Sequence, residues 1–146
     1  MLVHGTYNSL RDRSMSENLI LVADDDRALA ALLGTFLGKQ GFEVKVTFDA
    51  IQTWMVALRT RPAAILLDIK MPGGTGLDVL KKLKGSTKTN SIPVVAISAV
   101  KDPNLPTQAK SLGAEEFMAK PLDLPQVHEV LCRLLGRTPS PSAPTT

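Results

Sequence analysis

Four apolar runs constrain this chain more than any other feature, because each ends on a residue with phosphate or metal chemistry. Leu19-Ile20-Leu21-Val22-Ala23 leads into Asp24-Asp25-Asp26, and Ala63-Ala64-Ile65-Leu66-Leu67 into Asp68. Val94-Val95-Ala96-Ile97 leads into Ser98, and Phe117-Met118-Ala119 into Lys120-Pro121. Unbroken β-rich apolar runs suit strands of a parallel sheet covered on both faces. In such sheets the C-terminal strand ends share one edge, where ligands bind. The spacing therefore predicts that acids, a hydroxyl and an ammonium scattered from position 24 to 120 converge at one place.

Helical patterns alternate with these runs. Asp26 is placed to cap a helix whose apolar stripe is Leu29, Leu32, Leu33, Phe36 and Leu37, closed by Gly41. Phe42 to Phe48 alternates as a second strand, and Ile51, Trp54, Met55 and Leu58 mark a second core-facing helix, with Trp54 read as a packing residue. A loop carrying Pro72 and three glycines follows Asp68 and leads to a helix through Leu77, Leu80 and Leu83. Pro103 and Pro106 predict a short fourth helix, Glu115 to Ala119 a fifth strand, and Val127 to Leu135 a last helix. Five strands alternating strictly with five helices, joined by right-handed crossovers, make a three-layer α/β/α sandwich.

At 146 residues the chain has enough mass for one domain with a sizeable core, and at 4% aromatic residues that core is mainly aliphatic. Residues 1–17 read as a polar, aperiodic, disordered leader, with Met15 a candidate start. The folded domain spans 18–136, and 137–146 is a Pro/Ser-rich disordered tail. No run reaches the roughly 20 apolar residues of a membrane span. The first seventeen residues lack a signal-peptide core, so no membrane association is expected. A single cysteine, Cys132, fits a reducing cytoplasm and reads as a packing residue. The net charge of +3 carries no nucleic-acid signal, because Lys81, Lys82, Lys84 and Lys88 lack interleaved aromatics and read as a solvated helix face. Neither His4 nor His128 is read as a metal ligand or as part of a nucleophile system, His128 being read as a helical residue with no acid or cysteine partner at metal-ligand spacing.

The chemistry follows from the acids. Asp24 and Asp25 sit where the chain leaves its strand, and Asp68 on the neighbouring strand joins them. At about 5 Å and an effective dielectric near 20, each carboxylate pair repels by ~3 kcal/mol. A hard cation relieves this, and Mg²⁺, with Mn²⁺ as the alternative, uses few protein oxygens and shares its shell with phosphate. Asp68 is the candidate nucleophile, since a carboxylate can form an acyl phosphate, and Lys120 and Ser98 are placed to stabilise phosphoryl oxygens. Gly73-Gly74-Thr75-Gly76 lacks the phosphate-loop pattern and reads as a tight turn beside Asp68.

Taken together, Leu21-Val22-Ala23-Asp24-Asp25-Asp26, Leu66-Leu67-Asp68-Ile69-Lys70-Met71-Pro72, Gly76, Ile97-Ser98-Ala99, Gly113-Ala114 and Lys120-Pro121 resemble the receiver domain of two-component response regulators. The resemblance covers about residues 18–136 and is to the CheY-like, single-domain type. It implies a doubly wound, flavodoxin-like parallel sheet of order 2-1-3-4-5. It also implies that Asp68 takes a phosphoryl group from a sensor histidine kinase or histidine phosphotransfer protein. Asp25, Asp68 and the Lys70 backbone carbonyl are implied to ligate Mg²⁺, with Asp24 acting through water. Ser98 and Phe117 are implied to be a switch pair that alters a protein-binding face for a downstream target. The chain is then a signalling module and not an enzyme in the ordinary sense, its only chemistry being self-catalysed phosphoryl transfer and autodephosphorylation at Asp68. Alternatives are a receiver fragment of a longer regulator, a phosphorylation-independent scaffold, and, weakest, an aspartate-nucleophile phosphatase, disfavoured because Lys70 stands where a second acid belongs. Lys70, Pro103 and Pro106 are the main departures from the family pattern.

Overall fold

The central sheet has five parallel strands: β1 (Leu19–Ala23), β2 (Glu43–Thr47), β3 (Ala64–Asp68), β4 (Val94–Ser98) and β5 (Glu116–Ala119). They lie in the order β2-β1-β3-β4-β5. The computed structural model describes residues 17–71 and 73–138. The helices are α1 (Arg27–Lys39), α2 (Ala50–Thr60), α3 (Gly76–Gly85), α4 (Leu105–Ser111) and α5 (Leu124–Leu134). A short antiparallel ladder pairs Lys70–Met71 with Gly74–Thr75 between β3 and α3.

β1, β3 and β4 are buried along their whole length, as their unbroken apolar runs demand. Alternate residues serve opposite layers. Leu21, Ala23, Ile65, Leu67, Val94 and Ala96 pack beneath α2, α3 and α4. Ile20, Val22, Leu66, Val95 and Ile97 pack beneath α1 and α5. Burying each large aliphatic side chain stabilises the sandwich by about 1.5–3 kcal/mol before entropy is counted. Asp26, Asp49, Thr75 and Asp123 each accept a backbone N–H three residues on and so cap α1, α2, α3 and α5. The expected three-layer architecture and strand order are both observed.

Two helical stripes differ from expectation. On α1 the buried positions are Ala30, Leu33 and Leu37, and Leu32 is 53% exposed. On α2 the sheet meets Ala50, Thr53 and Ala57, while Ile51 and Met55 face solvent. Two adjacent stripes of α2 are thus compatible with burial, and packing selects the one with smaller side chains, which lets the helix lie close to the sheet. The polar member Thr53 is tolerated because its hydroxyl reaches Thr47 Oγ1 at 2.8 Å and the Asp49 carbonyl at 2.7 Å.

At the domain edges, Arg137 donates to Asn18 Oδ1 at 3.1 Å and to the Glu17 carbonyl, and its guanidinium stacks on Phe42. Arg137, assigned to the tail from sequence, is therefore fastened to the sandwich. The rest of the expected leader (1–16) and tail (139–146) lies outside the described residues. No helix among the described residues is long and apolar enough to cross a membrane.

Candidate functional site

Backbone bonds that run past the strand ends draw the site together. The Asp24 N–H donates to the Thr47 carbonyl at 3.0 Å, Ile69 N–H to Ile97 at 2.9 Å, and Lys120 N–H to Ser98 at 2.8 Å. Each bond continues a ladder one step beyond its strand and holds Asp24, Lys120 or, next to Ile69, Asp68 at the C-terminal edge. Carboxylate oxygens of Asp24, Asp25 and Asp68 consequently lie within 4.8 Å of one another, Asp24 and Asp68 buried and Asp25 exposed. The expected convergence of acids is what the structure contains.

Asp68 is 4% exposed. Its Oδ1 accepts the Lys70 N–H at 3.0 Å and its Oδ2 accepts Lys120 Nζ at 3.2 Å. Burial pushes the Asp68 carboxyl above the usual aspartate range, and the Asp24 charge pushes it further. The Lys70 N–H and the Lys120 ammonium oppose this without cancelling it. Lys120 also lies 2.9 Å from Asp24 Oδ2. For the lysine, burial alone would lower the pKa, but Asp24 and Asp68 together outweigh it and hold the ammonium charged. Lys120 thus meets the acids at the shared strand edge, as expected, and the fold adds the particular pairing with Asp24 alongside that with Asp68.

Asp24 Oδ1 accepts the Asp26 N–H at 2.9 Å. Asp24 Oδ2 is buried and, although close to Lys120, lacks a partner in hydrogen-bond geometry. One ammonium against three carboxylates, with an under-satisfied buried oxygen among them, is a donor set with room for a further cation. All-oxygen ligands suit a hard divalent ion such as Mg²⁺ or Mn²⁺.

Ser98 is 1% exposed, stands beside β3, and accepts the Val100 N–H through its Oγ at 3.0 Å. Phe117 is half-buried beneath the α2–α4 layer. Ser98, Phe117 and Lys120 line one shallow cavity of about 380 Å³ with Pro106 on α4. Lys70 is exposed and projects from the short ladder beside Asp68. Gly76 explains part of the glycine-rich loop: a Cβ there would lie 2.3 Å from the Asp68 carbonyl oxygen and 2.5 Å from Ile69 Cα. The first residue of α3 presses directly on the backbone of Asp68 and closes the loop with a 2.7 Å bond from its N–H to the Ile69 carbonyl.

Two readings need correction. Giving His128 no partner misses Cys132, four residues on along α5, whose Sγ lies 3.3 Å from His128 Nε2. Burial pushes the histidine pKa down and the thiol up, so both are neutral and the pair is a packing feature between the edges of Phe36 and Phe42. Lys84 does not belong to a solvated face either. Its ammonium binds the carbonyls of Asn90 and Ile92 and both carboxylate oxygens of Glu115.

The response regulator receiver domain model matches residues 20–132. The chain belongs to that family. Among relatives of this receiver domain, sporulation initiation phosphotransferase F of Bacillus subtilis is 28% identical over 83% of this chain and 96% of its own length. The response regulator PleD of Caulobacter vibrioides is 39% identical over 71% of this chain. The match spans only 21% of the Microchaete diplosiphon protein RcaC and 23% of PleD. The receiver domain of a Pseudomonas aeruginosa sensor histidine kinase, solved with magnesium in its active-site cleft, shares the fold at a TM-score of 0.75. It is 24% identical and covers 82% of this chain and 98% of its own.

Proposed function

We propose that Asp68 is the phosphoacceptor of a two-component phosphorelay. The observation that carries this is the position of Asp68: a buried carboxylate at a strand end, held by one backbone N–H and one ammonium, with two further carboxylates within 4.8 Å. The donor is a phosphohistidine on a sensor histidine kinase or phosphotransfer protein. An Asp68 carboxylate oxygen forms the new P–O bond while the P–N bond breaks, and the imidazole nitrogen leaves with the electron pair. Lys120, already against Asp68, neutralises charge on the phosphoryl oxygens, and the Ser98 hydroxyl donates to one of them. Asp25, Asp68 and the Lys70 carbonyl would hold Mg²⁺, with Asp24 acting through water. When bound, the ion supplies positive charge against the incoming dianion and against the three acids.

The output of this reading is a changed protein-binding face. Ser98 moving toward the phosphoryl group vacates volume in the cavity that it shares with Phe117, and the ring turns inward to fill it. The phosphorylated state is favoured only by the difference in interaction between the two arrangements. The buried Cys132 side chain, a free thiol outside any disulfide, suits a reducing compartment and supports a cytoplasmic setting.

Incubation with acetyl phosphate tests the acceptor. Mass spectrometry should find one phosphoryl group on the wild type with Mg²⁺, none without it, and none on Asp68→Asn. Equal labelling of wild type and Asp68→Asn would remove Asp68 from the role. Ser98→Ala should still be labelled, yet lose most of the amide-shift response of residues 98–120 to beryllofluoride. An undiminished response would mean that the switch runs through other residues.

A further inference from the structure

A second apolar face on α2 is left uncovered. Ile51 is 65% exposed and Met55 50%, and both lie on the same side of α2 as half-buried Trp54. This strip borders a groove of about 420 Å³ between α2 and α3. The two helices run parallel, each following its strand in the same sense, so the groove is an extended channel and not a closed cavity. Toward the helix C-termini the polar groups share one sign: Lys81 and Lys82 line the groove, Arg59 lines the adjoining hollow beside Met55, and all three are exposed. None of these three cations has a carboxylate within 4.0 Å among the described residues. Lys82 Nζ instead rests 5.2 Å from the centre of the Trp54 ring, where the ring face attracts the ammonium. At the opposite end, Asp49 is occupied in capping α2 and Asp78 sits in the first turn of α3.

From this geometry we infer that the α2–α3 groove docks an amphipathic helix of a partner protein. The partner's apolar side chains lie over Ile51, Trp54 and Met55, and its carboxylates face Arg59, Lys81 and Lys82. Helix-in-groove recognition needs anchors at i, i+3, i+4 spacing on one side and a matching apolar strip on the other, and residues 51, 54 and 55 supply that strip. Charge selects the occupant. A second copy packed face to face with helices parallel would set the same basic rim against itself, and packed antiparallel it would offer only Asp49, already occupied in capping α2, and Asp78 against three cations. An acidic helix meets complementary charge and leaves no cation buried without a partner. The occupant would also touch Gly73 and Thr75 at the groove's upper end, in the segment joining Asp68 to α3. The inference rests on the groove alone and does not require phosphorylation of Asp68.

Trp54 is the chain's single tryptophan, so its emission reports on the groove directly. The probe is a synthetic amphipathic peptide with leucines at i, i+3, i+4 and i+7 and glutamates on its flanks, compared with a version carrying lysines for glutamates. Titrated into the full chain, the acidic peptide should shift Trp54 emission saturably and bind at least about tenfold more tightly than the basic one at low salt. Ile51→Glu with Met55→Glu, two solvent-facing positions, should keep the circular dichroism of the fold and weaken the acidic peptide by about tenfold or more. Lys81→Glu with Lys82→Glu should invert the peptide preference. Equal affinity for both peptides, no saturable shift, or unchanged affinity in either double variant would overturn the inference. Self-association in sedimentation that disappears in Ile51→Glu/Met55→Glu would overturn it too, by giving the face to a second copy.

Discussion

Two lysines at opposite ends of the sheet are equally buried and surrounded in contrasting ways. The Lys84 side chain is 14% exposed and that of Lys120 is 17%, so burial does not separate them. At the N-terminal end of β4, Lys84 faces one carboxylate, Glu115, and two backbone carbonyls. Glu115 in turn accepts the Val94 N–H at 2.8 Å, so charges and donors balance. At the C-terminal edge, Lys120 stands against Asp24 and Asp68 with Asp25 close by, and one buried oxygen lacks a directed partner. The first cluster is saturated and fastens the start of two strands. The second carries excess negative charge, which the fold tolerates at a cost. A site that must admit a cation and a phosphoryl group needs that imbalance, and a structural lock does not.

The comparison breaks most easily at Lys84. Lys84→Met should destabilise the protein by about 2–3 kcal/mol, because Glu115 and two carbonyls lose their ammonium together. Urea unfolding would measure it, and a loss below about 0.5 kcal/mol would mean that the cluster is no lock. Lys84→Glu is expected to be worse, with two carboxylates brought together.

Mg²⁺ should act only at the other end. At ten times its dissociation constant a ligand adds about 1.4 kcal/mol of stability, so the wild type should gain that much at roughly 10 mM Mg²⁺ if binding is near millimolar. Asp25→Ala should gain nothing and Asp24→Ala an intermediate amount. Equal gains in wild type and Asp25→Ala would move the metal elsewhere.

Removing a charge should have opposite signs at the two ends. Glu115→Gln should destabilise, whereas Asp68→Asn should stabilise the metal-free protein by roughly 1 kcal/mol, since the cost of burying the carboxylate, together with its repulsion by Asp24, exceeds the lost contacts with the Lys70 N–H and Lys120. The pH dependence fixes the cause. The Asp68 pKa is raised in the folded state, so its favourable contribution is complete below the ordinary value of 3.8 and disappears as pH rises through the folded value. The stability gap between Asp68→Asn and wild type should therefore be closed in strong acid and open as pH climbs through the mildly acidic range. A gap that stayed constant with pH would assign the effect to packing.

The two ends also differed in how much of them could be read beforehand. The acidic edge was legible because its residues terminate apolar runs, and parallel-sheet topology carries every such terminus to one place. The Lys84 cluster was not, because its partner is 31 residues away and Lys84 looks in sequence like Lys81 and Lys82 beside it. Periodicity placed the helices correctly but could not choose between adjacent apolar stripes on α2, where the sheet takes Ala50, Thr53 and Ala57 over Ile51 and Met55. Gly76 read as turn freedom, yet its constraint is the Asp68 carbonyl 2.3 Å from where a Cβ would stand. These misses share one cause: each depends on which surfaces meet, and local pattern records only what each surface is made of.

A third buried group separates burial from charge crowding, and its effect should be the smallest. His128 lies on α5, 5% exposed, between the edges of Phe36 and Phe42 and against the Cys132 thiol. Burial lowers its pKa from 6.5, and the Glu129 charge only partly offsets this. Above pH 6.5 the ring is neutral in both folded and unfolded chains and does not affect stability. As pH falls below 6.5 the unfolded chain takes up the proton first, so stability declines until the folded value is passed. A ring that stayed neutral in the fold throughout would set the ceiling of this loss at about 2 kcal/mol between pH 7 and pH 5. His128→Leu should remove that slope while leaving Mg²⁺ binding and the Asp68→Asn gap untouched. A slope that survived in His128→Leu would return the acid sensitivity to the carboxylate edge, and the contrast between the two lysine clusters would then have to account for both.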